Sequence, residues 1–313
     1  MSVMIPLTSQ IAAMVIIALI GYVMTKTGIL DNEKGKALSV VGLYILAPLS
    51  VLSAFQTERT AEKITSFSIT WAAAICIHLL FLLLSGMLSR GGKSLTRAER
   101  ALVMFNNAGN LIIPIVQGAF GAEYVFYTVP YMLTQNLFCW TLGYHLINPD
   151  RKVSLRSVLR TPMIISICVG LVLFLLNIRL PQTVAAAVSQ MGACLGPVCM
   201  LAVGVMLAET DLKKCLSDRH LYLLIFLRLI ALPLCAVAFL LVIARFWKGP
   251  ETGMILMITL LGSIGPGNAT ITQFSMLADH PERGKISSFT AISTLMSAVT
   301  IPLIILLFRS LST

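Results

Sequence analysis

The sequence predicts an all-α integral membrane protein of ten transmembrane helices, built as two inverted five-helix repeats. Three observations predict this fold: a shortage of charge, a series of long apolar runs, and interrupted runs at matching places in both halves. Of the 313 residues, 57% are hydrophobic and 12% are charged, whereas a soluble domain carries about 25% charged residues. An apolar run of about 20 residues is long enough to cross a bilayer as a helix.

Ten apolar runs are the candidate spans. They cover residues 3–24, 38–55, 67–88, 102–120, 125–147, 163–178, 184–207, 221–246, 254–277 and 286–308. The boundary between the fourth and fifth spans is the least distinct, because only four residues separate them. The first run is predicted to be a span and not a cleaved signal, since it is too long and has no preceding positive charge.

Basic residues distinguish the two sides of the predicted membrane. Sixteen of the 23 Lys and Arg residues lie in loops after odd-numbered spans, and six lie in the other loops. The positive-inside rule therefore predicts a protein of the cell membrane with the odd loops in the cytoplasm and both termini on the outer side. This distribution explains the net charge of +10 without a nucleic-acid partner. The sequence shows no catalytic or metal-binding spacing of His, Asp, Glu or Cys, so we predict no enzyme, metal or cofactor.

Interrupted spans recur at a nearly constant offset. Pro48 and Pro197 are 149 residues apart (197 − 48), and Pro114 and Pro266 are 152 apart (266 − 114). Because each half has an odd number of spans, the second half enters the membrane from the opposite side, which favours alternating access around a central site. The predicted segments are a first repeat over 1–147, a cytoplasmic linker over 148–162 and an inverted second repeat over 163–313.

The fourth and ninth spans contain the residue types that break helices. The predicted breaks are at Gly109 and Pro114 in the fourth span, and at Gly265, Pro266 and Gly267 in the ninth. Irregular backbone persists in a membrane only where protein or a watery cavity satisfies it. Half-helix N-termini carry positive partial charge and free N–H groups, which favour a carboxylate. The absence of Asp and Glu from every predicted span fits an anionic substrate and argues against coupling through a membrane carboxylate.

Polar residues in the second, fourth, fifth and ninth spans are the candidate substrate contacts. They are Ser50, Ser53, Asn107, Asn110, Tyr131, Gln135, Asn136 and Asn268. Hydrogen bonding between helices is the alternative role for each of them. Arg228, inside the eighth span, either caps carbonyl groups or snorkels to the interface, or it contacts substrate. His78, inside the third span, is either a packing residue or a proton relay.

Several stretches resemble the auxin efflux carrier family over the whole chain. They are Asn107-Ala108-Gly109 with Pro114, the run 135–142, the run 293–297 with Thr300-Ile301-Pro302, and Arg228 with Pro233. The resemblance implies crossover helices broken at Pro114 and Pro266, and carboxylate substrates bound beside them. It also implies a scaffold domain, assigned to spans 1, 2, 6 and 7, a transport domain, assigned to spans 3–5 and 8–10, and a homodimer formed through the scaffold.

By this resemblance Asn107, Gln135 and Asn136 are the main contact candidates, followed by Ser50 and Ser53. Ile112 stands where the family often has Gly, and the loop after the fifth span is short. The chain therefore resembles the compact bacterial members, for which a mono- or dicarboxylate is expected in place of auxin. The predicted function is a secondary transporter of a small organic anion. Two alternatives stay open. One is a cation-coupled symporter or antiporter of similar inverted-repeat fold, and the other is a membrane sensor that does not transport.

Overall fold

The computed structural model describes residues 3–89, 95–150, 155–210, 218–249, 251–278 and 280–312. Within these ranges the regular structure is helical, apart from one isolated antiparallel β-bridge. Some of the basic residues that set the predicted orientation lie outside the described residues, namely Arg90, Lys93, Arg151, Lys152, Lys213 and Lys214.

The α-helices follow one another with short connections. In the first half they are α1 (Met4–Lys26), α2 (Asn32–Val41), α3 (Ala47–Ala54), α4 (Ala61–Leu88), α5 (Arg97–Met104), α6 (Ile113–Phe120), α7 (Val129–Phe138) and α8 (Tyr144–Ile147). In the second half they are α9 (Leu155–Leu159), α10 (Pro162–Leu175), α11 (Gln182–Ala193), α12 (Leu195–Glu209), α13 (Arg219–Phe226), α14 (Leu232–Phe246), α15 (Thr252–Ser263), α16 (Ala269–Leu277) and α17 (Arg283–Ser312).

Many helical stretches have the length and apolar composition of membrane spans. Six of those described are long enough to cross a bilayer: Met4–Lys26, Asn32–Ala54, Ala61–Leu88, Gln182–Glu209, Arg219–Phe246 and Arg283–Ser312. Three shorter apolar helices are Ala108–Phe120, Pro162–Leu175 and Thr252–Ser263. The structure thus confirms the coarse prediction of an all-helical protein with membrane-length apolar helices.

Five-residue π-turns interrupt the α-helical pattern without ending the helices. In the described ranges they are Gly42–Leu46, Ala108–Ile112, Cys139–Gly143 and Leu227–Ala231. Three of these turns end two residues before a proline, at Pro48, Pro114 and Pro233. A proline ring clashes with the carbonyl four residues earlier in an α-helix, and the wider π-turn gives the ring room. These helices therefore continue through their prolines.

The chain folds into two compact units. Unit 1 comprises Met1–Ile69, Gly109–Leu133 and Leu159–Glu209, and unit 2 comprises Thr70–Ala108, Thr134–Val158 and Thr210–Thr313. The third, fourth and fifth predicted spans each contribute residues to both units. In unit 1, α1 packs along α12, and α3 packs against α10 and α11. In unit 2, the long helix α17 contacts α5 and α13 to α16.

Glycine allows the closest helix contact in unit 1. A Cβ on Gly204 of α12 would overlap the carbonyl oxygen of Ala18 and lie 2.6 Å from the backbone N of Tyr22, both on α1. Small residues at such interfaces let two backbones approach, which increases dispersion contacts between membrane helices. The α1–α12 pair therefore depends on the missing side chain at this position.

We expect Gly204→Ala to destabilise the protein by about 1–3 kcal/mol, because the added methyl group overpacks the interface against rigid backbone. The measurement is the thermal unfolding midpoint of the purified protein in detergent. Gly253→Ala is the matched control, since a Cβ on this exposed glycine of α15 meets nothing within 4 Å. Equal midpoints for the two variants would show that the interface tolerates the methyl group.

Candidate functional site

Two interrupted spans cross within unit 2 through extended backbone. Helix α5 ends at Met104, and the next residue, Phe105, has extended backbone (φ −102°, ψ 132°). Asn106 forms the antiparallel bridge with Gly267, and the Asn107 N–H donates to the Pro266 carbonyl at 2.8 Å. Each strand-like segment thus satisfies backbone groups of the other, as irregular backbone at membrane depth requires. We call residues 105–107 and 264–268 the crossover.

The crossover packs directly on α17. The Gly267 N–H donates to Ser293 Oγ at 3.0 Å, and a Cβ on Gly267 would lie 2.8 Å from Phe289 Cε1. Gly267 is therefore required for the close approach of α17. The next residue, Asn268, caps α16, because its Oδ1 accepts from the Thr270 N–H at 2.8 Å. Gly265, Pro266 and Gly267 all lie where the ninth span is interrupted.

The fourth span is interrupted elsewhere than at its proline. Pro114 lies in the first turn of α6, and the helix runs through it from Ala108 to Phe120. The interruption is at residues 105–107, so the prediction that Pro114 breaks this span is wrong. The π-turn that begins at Ala108, and that contains Gly109, accommodates the proline ring. Both Pro114 and Gly109 belong to unit 1.

Arg228 caps both helices that end at the crossover. Its side chain is fully buried. Nε donates to the Gly265 carbonyl at 2.9 Å, Nη1 to the Val103 carbonyl at 3.2 Å, and Nη2 to the Ser263 carbonyl. The Val103 and Ser263 carbonyls lie in the last turns of α5 and α15, where the last four carbonyls have no partner within the helix. The Gly265 carbonyl belongs to the crossover itself. The guanidinium also faces the negative ends of two helix dipoles. The described bonds therefore support the carbonyl-capping role for Arg228.

A buried amide joins the crossover to α4. Gln135 Nε2 donates to the Asn106 carbonyl at 2.9 Å, and Gln135 Oε1 lies 2.7 Å from His78 Nε2. Gln135 and His78 are only 3% and 2% exposed. Asn106 in turn donates from Nδ2 to the Gly262 carbonyl at 2.5 Å. Gln135 thus holds the backbone of the crossover through its own hydrogen bonds.

The sequence-predicted asparagines differ in their surroundings. Asn107 and Asn268 are buried in the crossover, whereas Asn136, the residue after Gln135, is half-buried. Asn268 Nδ2 lies 3.7 Å from Cys139 Sγ, in addition to its capping bond. The structure therefore brings Asn107, Gln135 and Asn268 together at one crossover in unit 2.

The sequence matches a known family along nearly its whole length. A family model described as Membrane transport protein matches residues 6–155 and 151–305. The chain belongs to the membrane transport protein family. This family includes the auxin efflux carriers, so the resemblance of the sequence to them is confirmed. No curated protein matches the chain. Members of the family are transporters, and the apolar helices agree with a multi-pass membrane transport protein.

The remaining predicted contact residues of this transport protein lie in unit 1. They are Ser50, Ser53, Asn110 and Tyr131. Ser50 is buried, and a Cβ on Gly192 of α11 would lie 2.8 Å from its Cα. Tyr131 is 1% exposed, and Ser53 and Asn110 are half-buried. The close contact of Ser50 with Gly192 gives it a packing role between α3 and α11.

A charged cluster joins the starts of three helices in unit 2 of the transport protein. Glu99 of α5 is buried, accepts from the Thr96 N–H at 2.9 Å, and pairs with Lys285 of α17. His220 Nε2 of α13 lies 2.9 Å from Glu99 Oε1. Burial alone would raise the pKa of Glu99, but Lys285, the Thr96 N–H and His220 together hold it below its usual value. The cluster therefore favours an ionised Glu99.

Proposed function

We propose that the protein is a secondary carrier that moves a small organic anion, such as a mono- or dicarboxylate, across the cell membrane by alternating access. The observation that carries this proposal is the fully buried guanidinium of Arg228 beside the crossover. The predicted spans contain no Asp or Glu. Because charges interact more strongly in a low dielectric than in water, this fixed positive charge favours an anion over a cation.

We also propose the ten-span inverted-repeat architecture, with repeats over 1–147 and 163–313. It is supported by the crossover, which pairs Asn106 of the first proposed repeat with Gly267 of the second in antiparallel fashion. Broken helices that meet in this way form the substrate sites of inverted-repeat transporters. The composition of the units supports the assignment of spans 1, 2, 6 and 7 to a scaffold, since α1 to α3 and α10 to α12 belong to unit 1.

Within unit 2, the proposed carboxylate donors are the side-chain amides of Asn107 and Asn136. A neutral amide binds an anion weakly enough to release it on the other side of the membrane. Gln135 and Asn268 are proposed as supports, because their amides already bond to the crossover backbone and to the Thr270 N–H. The N-terminus of α16 adds a positive partial charge. Contacts through Ser50, Ser53, Asn110 and Tyr131 stay predictions.

The test is transport by the purified protein in lipid vesicles. Currents on solid-supported membranes are measured with pyruvate, lactate, succinate and malate at symmetric pH without sodium, and counterflow of labelled acid detects electroneutral exchange. Saturable current or counterflow with some of these acids would support the carrier. Acids that bind, as shown by a raised unfolding midpoint, but never cross the membrane would favour the sensor instead.

We expect Asn107→Ala to raise the half-saturation concentration of the transported acid about tenfold, because a hydrogen bond to a charged group contributes about 1.5–3 kcal/mol. The Asn107 N–H that bonds to Pro266 is retained in this variant, so folded protein should be recovered. Asn32→Ala, on the exposed start of α2, is the control. Wild-type kinetics in Asn107→Ala would remove Asn107 from the proposed contacts.

A further inference from the structure

Both ring nitrogens of His78 face a hydrogen-bond acceptor, which is one acceptor more than a neutral ring can donate to. His78 Nδ1 lies 2.7 Å from the carbonyl oxygen of Ala74, and Nε2 lies 2.7 Å from Gln135 Oε1. Both oxygens are acceptors only. A neutral imidazole has one N–H and can donate to one of them, whereas an imidazolium donates to both.

Turning the Gln135 amide does not resolve this mismatch. Gln135 Nε2 donates to the Asn106 carbonyl at 2.9 Å, and that carbonyl is again only an acceptor. A reversed amide would offer an N–H to His78 but would set Oε1 against the Asn106 oxygen. The orientation of a side-chain amide follows from its hydrogen-bond partners, and each orientation leaves one bad contact beside a neutral ring. The protonated ring satisfies all three bonds together.

Arg228 provides the electrostatic setting of this histidine. Its guanidinium carbon lies 5.6 Å from the centre of the Phe81 ring, one helical turn from His78 on α4, and its charge acts on His78. The ring of Phe138, on α7, packs against the His78 ring, with 5.5 Å between the ring centres. Glu99, a buried carboxylate of unit 2, does not act as the counter-charge of His78, because it pairs with Lys285 at the helix starts. Arg228 is thus the charge that faces His78.

Two positive charges at one crossover oppose each other, and an organic anion offsets both. Proton and anion should therefore bind cooperatively, each raising the affinity of the site for the other. We propose that His78 binds a proton together with the organic anion, which makes the protein a proton–anion symporter. This inference rests on the proposed function as an anion carrier. The proton binds the Nε2 lone pair of the neutral ring, and it leaves from the same atom.

Protonation also controls the backbone of the crossover. With His78 protonated, Gln135 keeps its bond to the Asn106 carbonyl, next to the bridge with Gly267. When the proton leaves, the amide gains by turning towards the His78 lone pair, and the bond to Asn106 is lost. The proton site is thereby linked to the segment that holds the two broken spans together.

The first experiment measures uptake of labelled malate, succinate and pyruvate into vesicles whose membrane voltage is clamped with valinomycin and equal potassium. For one proton per anion, an inward gradient of one pH unit should drive about tenfold accumulation. Protein-free vesicles correct for passive permeation of undissociated acid. His78→Gln, which does not titrate, should lose this accumulation, and His145→Gln, at an exposed position, should keep it. Accumulation in His78→Gln equal to wild type would overturn the proton site and leave the carrier intact.

The second experiment observes protonation directly, by nitrogen NMR of protein labelled in its four histidines. The His78 signals are identified by their absence in His78→Gln, or by elimination with variants of His145, His220 and His280 if that protein does not fold. Addition of malate, succinate or pyruvate should shift both ring nitrogens to the protonated form. A neutral His78 ring at every pH that supports transport would refute the inference. If no acid is transported, the proposed function fails, and a His78 ring that stays neutral with each acid present refutes the proton site separately.

Discussion

The Arg228→Met variant is expected to yield little folded protein. The guanidinium donates to the Val103 and Ser263 carbonyls of the two helices that end at the crossover, and to the Gly265 carbonyl of the crossover itself. A hydrogen bond from a charged donor contributes about 1.5–3 kcal/mol, and a buried group left without a partner costs a similar amount. Several such losses approach the entire stability of a protein, about 5–15 kcal/mol. Methionine fills similar space but donates no hydrogen bond.

Recovery of monodisperse protein from detergent and its unfolding midpoint measure this effect. Arg245→Met, on the exposed end of the same helical stretch, removes an equal charge and should cost almost nothing. Arg228→Lys should fall between the two, because an ammonium is a point charge that cannot span both helix ends with a planar fork. If Arg228→Met were as stable as Arg245→Met, the capping bonds would be unimportant for folding.

Apolar run length predicted most of the helical architecture. Nine of the ten predicted spans overlap apolar helical stretches of the structure, and the fifth overlaps α7 and α8. This success follows from the bilayer, since a spanning segment must satisfy its backbone internally and be apolar over a fixed length. The pattern is local, so a single sequence reveals it.

The break in the fourth span shows where local signals fail. Proline at position 114 suggested a break, but proline is tolerated near a helix start and beside a π-turn. The interruption occurs at Asn106 and Asn107 instead, where the backbone pairs with residues of the ninth span. A doublet of amides inside an apolar run was the available signal, since side-chain amides compete for backbone hydrogen bonds.

The roles of Arg228 and His78 depended on partners distant in sequence. Arg228 bonds to Val103, 125 residues away, and His78 contacts Gln135, 57 residues away. The sequence showed only that Arg228 and His78 lie within apolar runs, so it could not decide between the alternative roles predicted for each residue. Tertiary structure was needed to show that Arg228 caps helix ends and that both nitrogens of His78 face acceptors.

The Glu99→Gln variant should lose about 1–3 kcal/mol of stability near neutral pH, since its charge-assisted bonds to Lys285 and His220 are replaced by weaker ones. Glutamine keeps the shape of the side chain and can still accept from the Thr96 N–H. Glu33→Gln is the matched control, because Glu33 also pairs with a lysine, Lys36, but at an exposed site. Exposed pairs contribute only about 0–1 kcal/mol.

The dependence of this loss on pH separates the charge of Glu99 from its packing. The fold holds the pKa of Glu99 below its usual value, so the native state binds fewer protons there than the unfolded chain. The stabilisation is therefore complete above the unfolded value of about 4.3, and it disappears as pH falls through the lower native value. Unfolding midpoints measured from about pH 7 to about pH 2 should converge for wild type and Glu99→Gln at the acid end, where the pH has fallen through the lower native pKa. A constant difference across this range would mean that Glu99 acts through shape, and the ion pair with Lys285 would then contribute nothing to the joining of α5 and α17.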